Sequence, residues 1–356
     1  MSRRWRLLRD GITDAHAHFA VEEAILRMVG EGASPPTLRL RQVQRAVFVG
    51  VFQNAWDEVN VDYCREHGIK IVRRLSGGGA VYHDLGSFCY SAFFLRDMFP
   101  QSDEALYPLF ARPIIQTCAD FGVTARFHGR NDVLVGERKI YGSAQIALYD
   151  SFAHSGTFLV NMDFDTLARA LTPPASKFRG KTAQSVEERV TSLARELGRD
   201  VPVDEVMGVF VRRFRDEFGV ELAPGEIADE EQALAQALLQ EKYATDEWNL
   251  GPRHAYRTFV STRIPEGTLA LSIRMEGGRV READIQGDIL LPNKDAVMAL
   301  ASRWTGLFLS EALATLAEAS LPDAIRRALG ALLAEAERED AKHGATPIGQ
   351  QYDAAR

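Results

Sequence analysis

The chain has 356 residues and a formal net charge of −7, from 42 basic and 49 acidic side chains. That sign is wrong for a protein that grips nucleic acid through a broad basic face. Hydrophobic residues at 46% and charged residues at 26% describe a folded chain rather than a disordered one, and the length suits two domains with interior enough to need no disulfides or structural metal.

The opening MSRRWRLLRDGITDAHAH is basic, with no apolar stretch behind it, so it does not read as a secretory signal. From Asp14 to Gly30 the spacing of Ala20, Ala24, Ile25 and Met28 predicts an amphipathic helix capped by Asp14. Ser34-Pro35-Pro36 ends it. Residues 37–52 alternate and are β-branched, which predicts two short strands. A helix over 60–68 stops at Gly68, a strand follows over 69–75, then the run of glycines, and a strand region over 80–95 turns near Gly86. A long helix is expected within 100–122. Residues 125–162 form a meander with turns at Gly129, Gly136 and Asp150, which implies antiparallel pairing in an α+β domain. Helical patterns then occupy 163–171, 185–198, 203–219 and 229–244. TDEWNLG, 245–251, reads as a loop with a buried Trp248. Beyond it, three strands with glycine turns at 266–267 and 277–278 precede helices at about 294–319 and 322–343. The expected division is 1–245, 246–343 and a loose tail, 344–356.

No apolar run approaches the roughly 20 residues that span a bilayer, so no membrane partner is expected. Cys64, Cys89 and Cys118 make no C-x-x-C pair, which suits a reducing, cytoplasmic setting. Cys118 sits among Ile115, Ala119 and Phe121 and reads as a core thiol, because nothing near it in sequence would lower its pKa. His16 and His18 are two apart on a helix and do not share a face as metal ligands would. No H-E-x-x-H, Cys–His cluster or G-x-S-x-G elbow is present, so neither a protein-held metal nor a serine nucleophile is expected.

The sharpest signal is RRLSGGGAVYHD, Arg73 to Asp84. Gly77, Gly78 and Gly79 let backbone approach a ligand and turn N–H groups toward an anion. Arg73 and Arg74 bring forked donors suited to phosphate. The residues after the glycines look like a strand, so this is neither a Walker loop nor a Rossmann turn, both of which need a helix N-terminus there. A second signal is Gly129-Arg130-Asn131-Asp132 followed by Lys139-Ile140-Tyr141-Gly142-Ser143-Ala144. A strand lysine beside small residues can set its ammonium against a carboxylate or phosphate and offset charge that develops there. ASKFRGKT, 175–182, is one glycine short of a Walker loop and follows a helical, proline-broken segment instead of a strand.

Together, PTLRL, FQNAWDEVN, RRLSGGGAVYHDLG, GRNDVLVGERKIYGSAQ, GTFLVNMD and SVEERVTSL resemble the lipoate–protein ligase A family, of the biotin/lipoate ligase and octanoyltransferase superfamily. YATDEWNLG and the segment 266–289 look like the family's small C-terminal accessory domain. The resemblance implies a class II biotin/lipoate ligase-like α+β catalytic domain, with mixed, largely antiparallel sheets and flanking helices, plus that accessory domain. It implies activation of lipoate, or octanoate, by ATP to an acyl-adenylate, followed by transfer to a lysine of a lipoyl carrier domain. The carrier would be a dehydrogenase acyltransferase subunit, the glycine-cleavage carrier or another lipoylated protein, and the ligase a monomer.

By position, the resemblance places Arg74, Ser76, Gly77, Gly78, Gly79, Ala80, Val81 and Tyr82 in the loop over lipoate and the adenylate, with His83 at its edge. Asn131 and Asp132 fall near the adenylate, and Lys139 contacts both lipoyl carbonyl and phosphate as the catalytic residue. Gly142, Ser143, Ala144 and Thr157 belong to the binding site, and the segment 176–184 falls where the family carries its adenylate-binding loop, with Lys181 beside the triphosphate. Mg2+ is expected on the ATP phosphates, and apolar residues near 38–52 and 81–93 are expected to line the acyl slot. Three positions depart from the family pattern: Ser87, Tyr141 and Ser155, the last two expected near the ligand. An octanoyl or lipoyl transferase that needs no ATP is the nearest alternative, but the stretch 124–132 lacks that branch's cysteine. The biotin branch's G-R-G-R-x-x-R-x-W loop is also absent. A non-catalytic acyl-adenylate or carrier binder is the remaining alternative.

Overall fold

Asp14 starts the first helix: its carboxylate accepts from the backbone N–H groups of His16 and Ala17 at 2.9 and 3.2 Å, satisfying donors that a helix start leaves open. Helix α1 (Ala15–Gly30) follows. The computed structural model describes residues 4–172, 189–251, 258–264, 267–287, 289 and 295–343. It divides into two units, Met1–Pro252 with Leu290–Asn293, and Arg253–Ile289 with Lys294–Arg356.

The first unit is α+β. After α1 come β2 (Thr37–Val43), β3 (Ala46–Val49), α2 (Ala55–Glu58), α3 (Val61–Glu66), β4 (Lys70–Arg73), β5 (Val81–His83) and β6 (Ser87–Leu95). Helix α4 (Asp103–Asp120) leads into the meander β7 (Arg126–His128), β8 (Asp132–Val135), β9 (Arg138–Leu148) and β10 (Ser151–Leu159), followed by α5 (Phe164–Ala170). Two strands were not expected. β1 (Arg4–Thr13) opens the chain, and β11 (Glu221–Pro224) pairs with it in parallel. β1 escapes a period-of-two search because its buried residues, Trp5 and Leu8, are three apart. Its register with β2 also shifts between Arg9 and Ile12.

Eight strands make one mixed sheet in the order β11-β1-β2-β6-β10-β9-β8-β7, and β4-β3-β5 make a second, smaller one. The meander is antiparallel throughout. On one face of the large sheet, Leu38, Leu40, Phe88, Tyr90, Ile140, Tyr141 and Phe158 pack with α4 and with the helix Val203–Phe218 through Phe110, Phe210 and Phe214. On the other face, Cys89, Phe93, Ile146 and Ala153 meet α1 and the small sheet's Phe48 and Val72. The small sheet's far side, with Val47, Val49 and Tyr82, is covered by residues of α2, α3 and α5. An interior seam therefore lies between the two sheets and α1.

Residues 246–249 form one helical turn rather than a loop, capped by the Thr245 side chain at Trp248 N–H. Trp248 is half-buried, and the fully enclosed residue is Asn249. Of the helix expected over 185–198, only Leu193–Leu197 follows the described bridge residue Val190. In the second unit, β12 (Thr258–Ile264), β13 (Gly267–Glu276) and β14 (Arg279–Gly287) form an antiparallel sheet. The helix expected over 294–319 is two helices, Asp295–Trp304 and Leu309–Ala317. Gly306, at φ +86°, breaks it.

Candidate functional site

Strand pairing lines up five residues across the large sheet. Arg41 of β2 opposes Cys89 of β6, Cys89 opposes Thr157 of β10, Thr157 opposes Gly142 of β9, and Gly142 opposes Asp132 of β8. The next row on the same face, two residues along, is Arg39, Ser91, Ser155 and Ala144. Alternation along a strand puts these on the seam and their neighbours on the opposite core.

Lys139 joins the row through a bulge. Leu134 pairs with Lys139 and Val133 with Tyr141, leaving Ile140 as the extra residue of β9. Ile140 and Tyr141 both enter the opposite core, so Lys139 and Gly142 share the seam face. Lys139 Nζ forms an ion pair with Asp132 Oδ1 at 2.7 Å, both groups about one-third exposed. The lysine crosses directly over Gly142, where an added Cβ would lie 2.4 Å from both Cε and Nζ. Asn131 braces the hairpin: its side-chain amide donates to the Ser143 carbonyl at 2.6 Å, and Ser143 N–H donates to the Asn131 carbonyl at 3.0 Å.

The glycine loop lies between β4 and β5, and β5 meets the row where His83 approaches Cys89. Arg74 is buried and donates to the carbonyls of Phe48, Gly77 and Gly79 at 2.7–3.2 Å. Burial, with the charge of Arg73, lowers its pKa to about 10, so it stays cationic at neutral pH. Among the described residues those hydrogen bonds go to uncharged oxygens, which leaves a positive potential inside the loop. Gly78 has φ +95°, and its carbonyl presses on Gly50, where a Cβ would stand 2.1 Å away. Val51 N–H donates to the Ser76 carbonyl at 3.1 Å.

The Arg73 guanidinium is taken up by backbone carbonyls. It donates to Gly50, Val51 and Gln53 on one side and Trp248 and Leu250 on the other. Val81 and His83 share a face of β5, with His83 against the Phe48 ring at 3.9 Å and its Nδ1 3.5 Å from Cys89 Sγ. Burial, then the charges of Arg74 and Arg41, push the His83 pKa down to about 3, so its ring is neutral. Tyr82 points the other way, into the core under the small sheet. Ser143 lies on the Tyr141 side of β9, with its hydroxyl on the Asn131 carbonyl at 3.2 Å. Ala80 is half-buried just ahead of β5. Lys181, and the segment 176–184, lie outside the described residues.

Two expectations about the slot change. Leu38, Leu40, Phe88 and Tyr90 belong to the opposite core; the apolar seam residues of these strands are Val43, Phe48, Cys89 and Phe93. Tyr141 is also turned away. Its hydroxyl meets Tyr90 Oη at 2.8 Å and His154 Nε2 at 3.2 Å in a buried chain that ends on the Phe110 carbonyl. Ser155 does face the seam, with Oγ 2.7 Å from Ser91 Oγ.

The motif reading missed the support beneath this row. Arg39 and Arg41 are fully buried and share Glu22 of α1 at 2.8 and 3.2 Å, while Asp10 holds Arg39 at 2.5 Å. Ser91 donates to Glu22 at 2.6 Å. Burial and the two arginines hold His18 well below its usual pKa, so it accepts from Arg41 Nε at 3.1 Å. The available signal was L-R-L-R over 38–41, one apolar and one charged strand face, facing a buried Glu-Glu pair on α1.

An α+β unit with these sheets is the fold of solved lipoate–protein ligases. The chain belongs to the lipoyl protein ligase A/B catalytic domain family, whose pattern matches residues 14–215. It is 31% identical over 280 residues to lipoate–protein ligase 1 of Staphylococcus aureus, covering 78% of this chain and 83% of that one. A crystal structure of lipoate–protein ligase A bound with ATP is 30% identical and superposes with TM-score 0.62 over 70% of this chain and 99% of its own. The bi-partite ligase from Thermoplasma acidophilum, described with its E2 lipoyl domain, is 32% identical, with TM-score 0.60 over 72% of this chain and 99% of that one. Among the described residues, no helix is long and apolar enough to cross a membrane.

Proposed function

We propose that this protein is an ATP-dependent lipoate–protein ligase that adenylates lipoate, or octanoate, and passes the acyl group to a lysine of a lipoyl carrier domain. The observation that carries the reading is Lys139, held by Asp132 over Gly142 on the seam face, together with the cationic Arg74 inside the glycine loop. In the first step the acid's carboxylate oxygen attacks the α-phosphorus of ATP, and pyrophosphate leaves. Lys139 would turn from Asp132 to the oxygens of the acyl carbonyl and α-phosphate and stabilise charge as it develops. The loop Arg74 to His83, with the backbone N–H groups of Gly77 to Gly79, would cover the adenylate and keep water from the mixed anhydride.

In the second step the carrier's ε-amine attacks the acyl carbonyl and AMP leaves. No nucleophile from the ligase is needed, because ATP has already activated the acid. The seam suits the acyl chain. Gly142 and Ala144, Thr157 and Ser155, and Cys89 are small, and Ile146 and Ala153 further along the same face pack against α1. From Thr157 to Ala153 is about 13 Å at strand rise, the length scale of an extended eight-carbon acid. Magnesium belongs to the same proposal: it would arrive on the ATP phosphates, with Asp132 as the hard oxygen donor at that edge, and neutralise phosphate charge. A cytosolic setting fits Cys64, Cys89 and Cys118, which are unpaired and buried.

Pyrophosphate release tests the first step. With lipoate and ATP but no carrier, a stoichiometric burst of pyrophosphate is expected. Transfer of an octanoyl or lipoyl group from one acylated carrier to another without ATP, with no acylation from free lipoate and ATP, would instead establish the transferase alternative.

A further inference from the structure

Arg73 connects three segments that are far apart in sequence. Its Nη1 donates to the carbonyls of Gly50, Val51 and Gln53 at 3.0, 3.3 and 2.6 Å. Its Nε donates to Trp248 O at 2.9 Å and its Nη2 to Leu250 O at 3.5 Å. The connector answers on the backbone. Asn249 Oδ1 accepts from Arg73 N–H at 3.1 Å, and Trp248 Nε1 donates to the Arg73 carbonyl at 2.9 Å. Asn249 is itself pinned, donating to the carbonyls of Tyr243 and Thr245 at 2.7 and 2.8 Å.

Gly50 and Val51 are one wall of the glycine loop, through the Gly50–Gly78 approach and the Val51–Ser76 hydrogen bond. Three successive glycines have little conformational order of their own, so the loop takes its shape from such walls. We infer that Arg73 is a positioning residue that makes the order of the glycine loop depend on the connector, residues 245–251. Loosening the connector removes two of the acceptors that hold the guanidinium, and the freed fork releases the 50–53 wall. Lysine does not replace it: one ammonium cannot reach both carbonyl groups as a planar fork does.

The catalytic part of this inference rests on the function proposed above; the structural part does not. Hydrogen–deuterium exchange on the full chain, without ligands, would compare wild type with Asn249→Ala, Arg73→Lys and the double variant. Exchange at 76–80 is expected to rise about tenfold or more in each single variant, with little further rise in the double. The KM for ATP should rise more than kcat falls. Trp248→Phe, which removes the indole donor but keeps an aromatic ring, should raise exchange at the same peptides by less, and serves if the stronger variants fold poorly. Exchange in Asn249→Ala that rises only at 245–251, with 76–80 unchanged, would overturn the inference. A wild type that never adenylates lipoate would instead refute the proposed function and leave the exchange result standing.

Discussion

Glu23 has no exposed surface, yet its carboxylate accepts from Tyr149 Oη at 2.8 Å, Tyr243 Oη at 2.7 Å, Lys242 Nζ at 2.8 Å and the Arg27 guanidinium. Burial alone would raise its pKa; the charge of Lys242 and the hydrogen bonds outweigh it and bring it to about 2. Because the folded value lies below the ordinary 4.5, this stabilisation is in place above pH 4.5 and is lost as pH falls toward 2. Glu23→Gln should therefore cost about 3 kcal/mol at pH 7, the low end for a broken buried pair because Arg27 and Lys242 still reach water. Chemical denaturation at pH 7 and pH 3 checks this, and the gap between variant and wild type should narrow at the lower pH. Residues of this kind resist sequence reading. Arg73 and Arg74 look interchangeable in the motif, but the carbonyls that occupy Arg73 include those of Trp248 and Leu250, which nothing local places beside it. Asp132 and Lys139 were easier, since one hairpin with a turn at Gly136 brings them together.

At the scale of elements, the bulge at Ile140 sets which side of β9 Lys139 occupies. Gly142 is the position that lets the side chain lie flat. Gly142→Ala should displace the flexible lysine instead of the backbone, lowering adenylation about tenfold or more while leaving thermal stability within about 1 kcal/mol of wild type. Pyrophosphate release and a melting curve on the same preparation separate the two effects. Gly50→Ala is the contrasting case, because its Cβ would meet the Gly78 carbonyl oxygen, which is backbone; Tm should fall clearly. Elements with caps or strict alternation were readable, as α1 with Asp14 and the β7–β10 meander demonstrate. Those built against distant partners were not. β11 is a four-residue strand that exists by pairing with β1, and the one-turn helix Asp246–Asn249 is too short to have a helical period.

For the whole molecule, buried neutral histidines add to the response to acid. His83 and His154 are pushed down to about 3, His83 by burial, Arg74 and Arg41 and His154 by burial, and His18 is also held low. In the unfolded chain each takes a proton near pH 6.5. The unfolded state then binds more protons than the folded one, so stability is unaffected by these groups well above pH 6.5 and falls below it. Each histidine contributes up to about 1.4 kcal/mol per pH unit. Denaturant midpoints measured from pH 7.5 to 5.0 should decline steadily below about 6.5; constant midpoints would contradict the buried, neutral assignment. The α+β class and the family were legible from motifs because glycines and small residues at close approaches are local requirements. The arginine–glutamate network under the site was not, since its members come from α1, β1, β2 and β6 and meet only in the folded seam.

The most direct test is the intact mass of a lipoyl carrier domain after incubation with lipoate, ATP, magnesium and either wild type or Lys139→Ala. Wild type should add one lipoyl group to the carrier, and Lys139→Ala, folded to the same Tm, should add almost none in the same time. A Lys139→Ala rate equal to wild type would contradict the assigned role of Lys139, and an unmodified carrier across a panel of lipoyl domains would contradict the ligase itself.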